Sequence, residues 1–253
     1  MRFFIVLLLF GLLTACAQPP KPVWTEVPEP SALLERFATT TGQVRSLDGA
    51  ATVSLTVQGK FFSSQQFLLL EKPERLRTDV LTGFGQLILQ LTSDGEELSV
   101  FMNTTVPGRF YRGEATTESL ARFTRIPLQA KDMVRLLLYD PPLIDFLQAK
   151  VILEKELLIL QLTNQERRQE LLFDDQLLLV GCRYLTDGEL FLDVSYQALD
   201  TDKQFPQTIR LNMPQQKIKT ALKFSEMQTN VAIPKERFRL QQPVNLPVEP
   251  LPQ

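Results

Sequence analysis

The chain has 253 residues, with 27 basic and 29 acidic side chains, a formal net charge of −2 and no histidine. The missing imidazoles remove every Ser-His triad, the commonest general base and the usual metal ligand, so neither catalysis nor a bound metal is expected. Near-neutral charge without a basic run argues against nucleic acid as a partner, and the length suits one sizeable core.

The N-terminus reads "MRFFIVLLLFGLLTAC". One positive charge at Arg2 precedes an apolar run from Phe3 to Leu13, too short to span a bilayer and the right size for a signal peptide. The four residues Leu13-Thr14-Ala15-Cys16 resemble the lipobox of bacterial lipoproteins. That resemblance implies cleavage of residues 1–15 and acylation of Cys16 as the mature first residue. Ala17 follows, where enterobacterial lipoproteins retained in the inner membrane carry Asp, so the likeness points to the periplasmic face of the outer membrane. Several acyl chains on one residue anchor a protein stably, whereas one chain does so only marginally. Residues 16–30 then form a linker with five prolines from position 17 onward. In polyproline geometry, at roughly 3.1 Å per residue, it holds a domain up to about 40 Å from its anchor.

The domain proper is expected over residues 31–240. It opens with a helix in "SALLERFATTTG", where Leu33, Leu34 and Phe37 share a face and Ser31 is the candidate N-cap. From Asp48 the period changes to two. Ala51, Val53, Leu55 and Val57 alternate with Thr52, Ser54, Thr56 and Gln58, which is a strand with one dry and one wet face. The same alternation returns around residues 75–80, 86–91, 98–102, 158–162, 190–196, 209–213 and 217–224. Turn signals separate these runs, among them "QGK" at 58–60, "SDGE" at 93–96 and "TDGE" at 186–189. One segment interrupts the meander. Helical spacing at Leu120 and Phe123, then at Met133, Val134, Leu136 and Leu137, ends before Pro141-Pro142. The tail, 241–253, is punctuated by proline and expected to be loose.

This pattern predicts a mainly β (α+β) fold, an unclosed antiparallel β-barrel of about 10–11 strands with an α-helical lid. A sheet this long must curl, and helices across its mouth can roof an apolar cavity. The dry-face positions that would line it are Val53, Leu55, Phe67, Leu69, Leu89, Leu91, Val100, Leu160, Leu192, Leu211 and Leu222, with Met133 and Leu137 from the lid. A solid core fits the same pattern. Acidic pairs such as Asp174-Asp175 and Glu96-Glu97 lie beside turns and read as solvated charge. Cys182, in "LLLVGCRY", reads as a buried and inert thiol. No glycine-rich phosphate loop or cysteine cluster is present, and no cofactor is expected.

The stretches "RLRTDVLTGFGQLILQLTSDG" and "RFTRIPLQAKDMVRLLLYDPP" resemble the LolB-like outer-membrane lipoproteins of the LolA/LolB-like superfamily, most closely at Ile126-Pro127-Leu128 and around Phe84. The resemblance implies an open barrel whose cavity holds the acyl chains of lipoproteins or lipids. It also implies a periplasmic LolA-like carrier as partner and the outer membrane as destination. The C-terminal "IPKERFRLQQPVNLP" departs from it, being more similar to the last strand of the soluble carriers. A non-carrier scaffold lipoprotein of an envelope complex is the alternative use of the same barrel.

Phe84 raises a separate question, because it sits between Gly83 and Gly85 where the chain reverses. Burying such a ring stabilises by roughly 1.5–3 kcal/mol, which is forfeited at a turn tip unless another apolar medium is close. In the LolB-like family the matching turn carries an exposed apolar residue that acts at the membrane. By that likeness Phe84 is the membrane-insertion residue. The other reading folds the ring back onto its own sheet.

Overall fold

In a computed structural model the described residues are 24, 26–200 and 205–252. The stretch read as a signal peptide, Cys16 and most of the linker expected over 16–30 lie outside them. Helix α1 (Pro30–Thr40) starts with Pro30 in its first turn and Glu29 at the N-cap, so Ser31 is not the cap expected from sequence. Proline is suited to that position, where its missing N–H would have no helical partner. Leu33 and Phe37 are the buried residues of this helix, so the expected face is largely the one used.

Two meanders follow. The first comprises β1 (Ser46–Val57), β2 (Lys60–Glu71), β3 (Arg75–Leu81), β4 (Leu87–Ser93), β5 (Glu97–Met102) and β6 (Arg109–Glu114). Helices α2 (Thr117–Thr124) and α3 (Ala130–Leu137) intervene. The second comprises β7 (Gln148–Glu154), β8 (Leu157–Thr163), β9 (Arg167–Phe173), β10 (Leu179–Thr186), β11 (Glu189–Asp200), β12 (Phe205–Met213) and β13 (Ile218–Thr229). A short strand, β14 (Val248–Pro250), ends the described chain. All lie in one sheet, ordered β14-β6-β5-β4-β3-β2-β1-β13-β12-β11-β10-β9-β8-β7. The barrel is unclosed, as the alternation predicts, but it has 14 strands rather than 10–11. The extra ones are chiefly β7, whose residues are mostly exposed, β9, where Leu171-Leu172-Phe173 run apolar without alternation, and the proline-containing β14.

The first and last meander strands meet at the centre, where β1 pairs antiparallel with β13. Antiparallel order makes hairpin turns alternate between two rims. The turns after β1, β3, β5 and β12 share one rim, and those after β2, β4, β7 and β9 share the other. The interior is a single large cluster of leucine, valine and aromatic side chains from the concave face, α1 and the two lid helices.

Beyond β13 the chain crosses the convex face as a strap. Ile233 and Phe238 pack on Leu69. Arg237 pairs with Asp48 at 2.8 Å, and Arg77 donates to the Arg237 carbonyl at 3.2 Å. Arg112 donates to the Leu240 carbonyl at 3.3 Å. The strap ends as β14, parallel to β6, with Glu249 paired to Arg109 and Leu251 seated on Gly113. The tail expected to be loose is therefore docked as far as β14 and Leu251. It covers an edge that would otherwise expose unpaired backbone.

Phe110, fully buried opposite Val248, gives this docking a measurable weight. Truncation after Leu240 should uncover that ring and destabilise the protein by about 2–3 kcal/mol. At this size that is roughly 4–12 °C in melting temperature. A thermal melt superimposable on that of the full chain would show that β14 contributes nothing.

Candidate functional site

The two lid helices are held very differently. In α2, Thr116 caps the N-terminus by accepting from the Ser119 amide at 3.1 Å, and Arg125 closes the C-terminus in the left-handed conformation. Its Phe123 ring packs against Tyr111 at 6.0 Å. By contrast, the end of α3 is fastened to the second meander by three phenols. Tyr139 donates to the Leu179 carbonyl at 2.7 Å, Tyr196 to Leu136 at 3.2 Å and Tyr184 to Pro142 at 2.8 Å. Burial pushes all three phenol pKa values up, so they stay protonated donors. Asp140 adds ion pairs to Lys72 at 2.7 Å and to Arg135 at 3.2 Å. Cys182 lies fully buried beside Tyr184 and Tyr196, and burial raises its thiol too, which suits the inert role read from sequence.

This asymmetry divides the interior. Under β8–β11 the tyrosines and α3 fill the space, and Leu160 and Leu192 are solid core rather than cavity lining. Val100, on β5 between Leu91 and Tyr111, is likewise fully buried core outside the cavity. Under β1–β4, β12 and β13 the lid stands off the sheet and leaves a cavity of ≈ 360 Å³. That is within the range of roughly 300–1,000 Å³ typical of small-molecule sites. Both interiors compatible with the sequence are present, in different halves of one barrel.

Of the expected lining residues, the structure brings Val53, Leu55, Leu89, Leu91, Leu211, Leu222, Met133 and Leu137 to the cavity. Phe67 and Leu69 are on the convex face instead. Phe67 is 54% exposed, and Leu69 is buried beneath the strap. The run Phe67-Leu68-Leu69-Leu70 does not alternate, so its parity could not be read. A one-residue choice of register sends every side chain to the opposite face. The inward set is Phe62, Ser64, Gln66, Leu68 and Leu70. Leu76, Thr78 and Val80 of β3, with Phe123 and Ile126 of the lid, also line the space. The alternation at 75–80 was the signal that could have found the β3 set.

The cavity's polar groups are satisfied within the protein. Gln66 donates to Ser64 at 3.1 Å and accepts from Thr78 at 2.9 Å, while Thr220 donates to the Ser54 carbonyl at 3.1 Å. Among the described residues no cluster of acidic or cysteine side chains could hold a metal ion. What the space offers a guest is an apolar surface with few free hydrogen-bonding groups.

Phe84 lies on the rim next to this cavity and is 97% exposed. The turn is locked rather than loose. The Thr82 hydroxyl accepts from the amides of Phe84 at 3.3 Å and Gln86 at 3.1 Å, and Thr82 N donates to the Gln86 carbonyl at 2.8 Å. Gly85 has φ +78°, which glycine adopts freely, whereas Gly83 has ordinary backbone. Only the second glycine is therefore required by the turn. The ring does not fold back onto its sheet.

No protein-family model matches the chain, and no curated protein matches it in sequence. Solved structures do match in shape. A LolA superfamily protein from Nitrosomonas europaea superposes with a TM-score of 0.52 at 13% identity, over 84% of this chain and 98% of that one. A DUF1329 family protein from Desulfovibrio piger gives 0.51 at 14% identity, over 83% and 95%. A domain assigned to outer membrane lipoprotein sorting, from Vibrio parahaemolyticus, gives 0.52 at 9% identity, also over 83% and 95%. Identities this low carry the fold alone. The chain has a LolA-like fold.

Proposed function

We propose that the protein is a non-catalytic lipoprotein of the bacterial envelope that binds acyl chains in the cavity beneath α2 and α3. It is anchored through acylated Cys16 to the periplasmic face of the outer membrane and accepts lipoprotein or lipid cargo there. The observation that carries this reading is the cavity itself, mostly apolar, with polar side chains such as Gln66 and Thr78 paired within the protein, and roofed by a lid fastened chiefly to the second meander. An apolar guest gains about 0.8 kcal/mol for each methylene it removes from water, so a hydrocarbon chain suits such a space better than any polar ligand. Phe84, held rigidly outward on the adjacent rim, supplies a contact to the bilayer from which cargo leaves or enters. A LolB-like receptor receiving cargo from a periplasmic LolA-like carrier is the specific role that fits these parts.

Mass spectrometry tests both halves of the reading. The intact protein extracted from membranes should begin at an acylated Cys16. A soluble form lacking residues 1–16, sprayed under native conditions, should carry phospholipid, fatty acid or acylated peptide. An unmodified terminus elsewhere would remove the anchor. A ligand-free spectrum that stays so after incubation with fatty acid would remove the carrier role and favour the scaffold.

A further inference from the structure

Charge on this protein is unevenly distributed. Residues 52–70, spanning most of β1 and β2, and residues 205–225, spanning β12 and most of β13, contain no Asp or Glu. Those four adjacent strands and the β12–β13 turn carry Lys60, Arg210, Lys217, Lys219 and Lys223, while the strands' acids, Asp48, Glu71 and Glu226, lie towards the opposite rim. The four lysines are exposed and make no ion pair among the described residues. Register places Lys219 beside Thr56, which is beside Phe61, and Lys223 beside Thr52, which is beside Gln65. The concave partners of this row are the cavity residues Leu55 and Leu222, so Lys219, Lys223 and Phe61 share the convex face, whereas Lys60, opposite Val57, falls on the cavity-side parity at the rim. Glu189, on a neighbouring tip of the same rim, is held by Gln215 at 2.7 Å.

The same region exposes large rings. Phe61 is 67% exposed on the convex face close to the rim from which Phe84 projects, and Phe67, 54% exposed, lies further down the same face opposite Asp79. Unpaired lysines flanking exposed aromatic side chains are the two components of a peripheral membrane contact. The ammonium groups sit at the phosphates while the rings enter the acyl boundary. A nucleic acid or an acidic peptide would answer the charge but would offer Phe61, Phe67 and Phe84 no continuous apolar medium.

We propose that the convex face of β2-β1-β13-β12, together with the Phe84 turn, is a docking surface for a bilayer rich in anionic phospholipid. The barrel then lies on the membrane by a face separate from its cavity, and this contact does not depend on what the cavity carries.

The test is lysine footprinting of the full chain reconstituted into vesicles of either pure phosphatidylcholine or phosphatidylcholine with about 30 mol % phosphatidylglycerol. The anchor is common to both. Lys217, Lys219 and Lys223 should react with an amine-directed label roughly fivefold or more slowly on the anionic vesicles. Lys131 and Lys155, exposed on the lid and on the β7–β8 turn, should react equally on both. Raising the salt to about 1 M, where the screening length falls to about 3 Å, should abolish the difference. Equal labelling of the three lysines on the two vesicles, or uniform protection of all five, would overturn the docking surface. Either result would leave acyl binding by the cavity untouched.

Discussion

Leu55→Trp should weaken binding of a fluorescent fatty-acid probe by at least roughly tenfold while leaving the melting temperature unchanged or raised. Leu55 projects from β1 into the cavity and is only half-buried. Its strand neighbours are Phe62 and Thr220, which line the same space. An indole added there occupies room that a guest would use. Excluding two methylenes of ligand forfeits about 1.6 kcal/mol, or roughly fifteenfold in affinity. The protein itself gains buried apolar surface without displacing a packed neighbour, so stability moves in the opposite direction to binding. That opposition is the diagnostic. A lowered melting temperature would place Leu55 in a tightly packed core. Unchanged binding would place the probe outside the cavity.

Phe84→Glu should leave thermal stability within about 0.5 kcal/mol of the parent, because a side chain this exposed makes no packing contribution. Association of the soluble domain with liposomes should nevertheless fall. Withdrawing a phenyl ring from an apolar medium forfeits roughly 1.5–3 kcal/mol, or about 10- to 150-fold in partitioning. Co-sedimentation measures the second quantity and a thermal melt the first. The Thr82 hydroxyl and Gly85 set the turn independently of residue 84, so the substitution should not reshape it. Unaltered sedimentation would mean that the ring does not enter the bilayer.

How much of this could be read in advance followed the range of the interactions involved. Strands such as β1, β4, β12 and β13 were legible because one face is dry and the other carries Thr, Gln or Lys, so the period of two survives in the sequence. The lid was legible for the same reason with a helical period, and Met133, Val134, Leu136 and Leu137 are all buried in α3. In β2 four consecutive apolar residues erased the parity. The faces of Phe67 and Leu69 were settled only by pairing with β1 and by the distant strap residues Ile233 and Phe238. Whether the barrel was hollow or solid was beyond a local pattern. It depends on Tyr139, Tyr184 and Tyr196 reaching across to the lid, contacts that span 40 residues or more of sequence. The docking of Val248–Pro250 was hidden because prolines signal a loose tail, although a short edge strand tolerates them.

With the proposed anchor at Cys16, one contact near the start of the described chain governs how the domain would hang from the membrane. Trp24 donates from its indole to the Glu156 carbonyl at 3.4 Å, on the β7–β8 turn. That turn belongs to the rim opposite Phe84. The leash between Cys16 and the domain is therefore much shorter than a free linker to Pro30 would be, with a reach under about 30 Å even when fully extended. Strands of 7 to 12 residues separate the rims. At about 3.3 Å per residue they stand roughly 23–40 Å apart before tilt. An upright barrel with Phe84 at the lipid surface would hold Trp24 near or past the end of its leash. A reclining barrel relieves that tension and would bring the proposed anchor residue and the aromatic tip to one leaflet, with the strands running along the membrane plane.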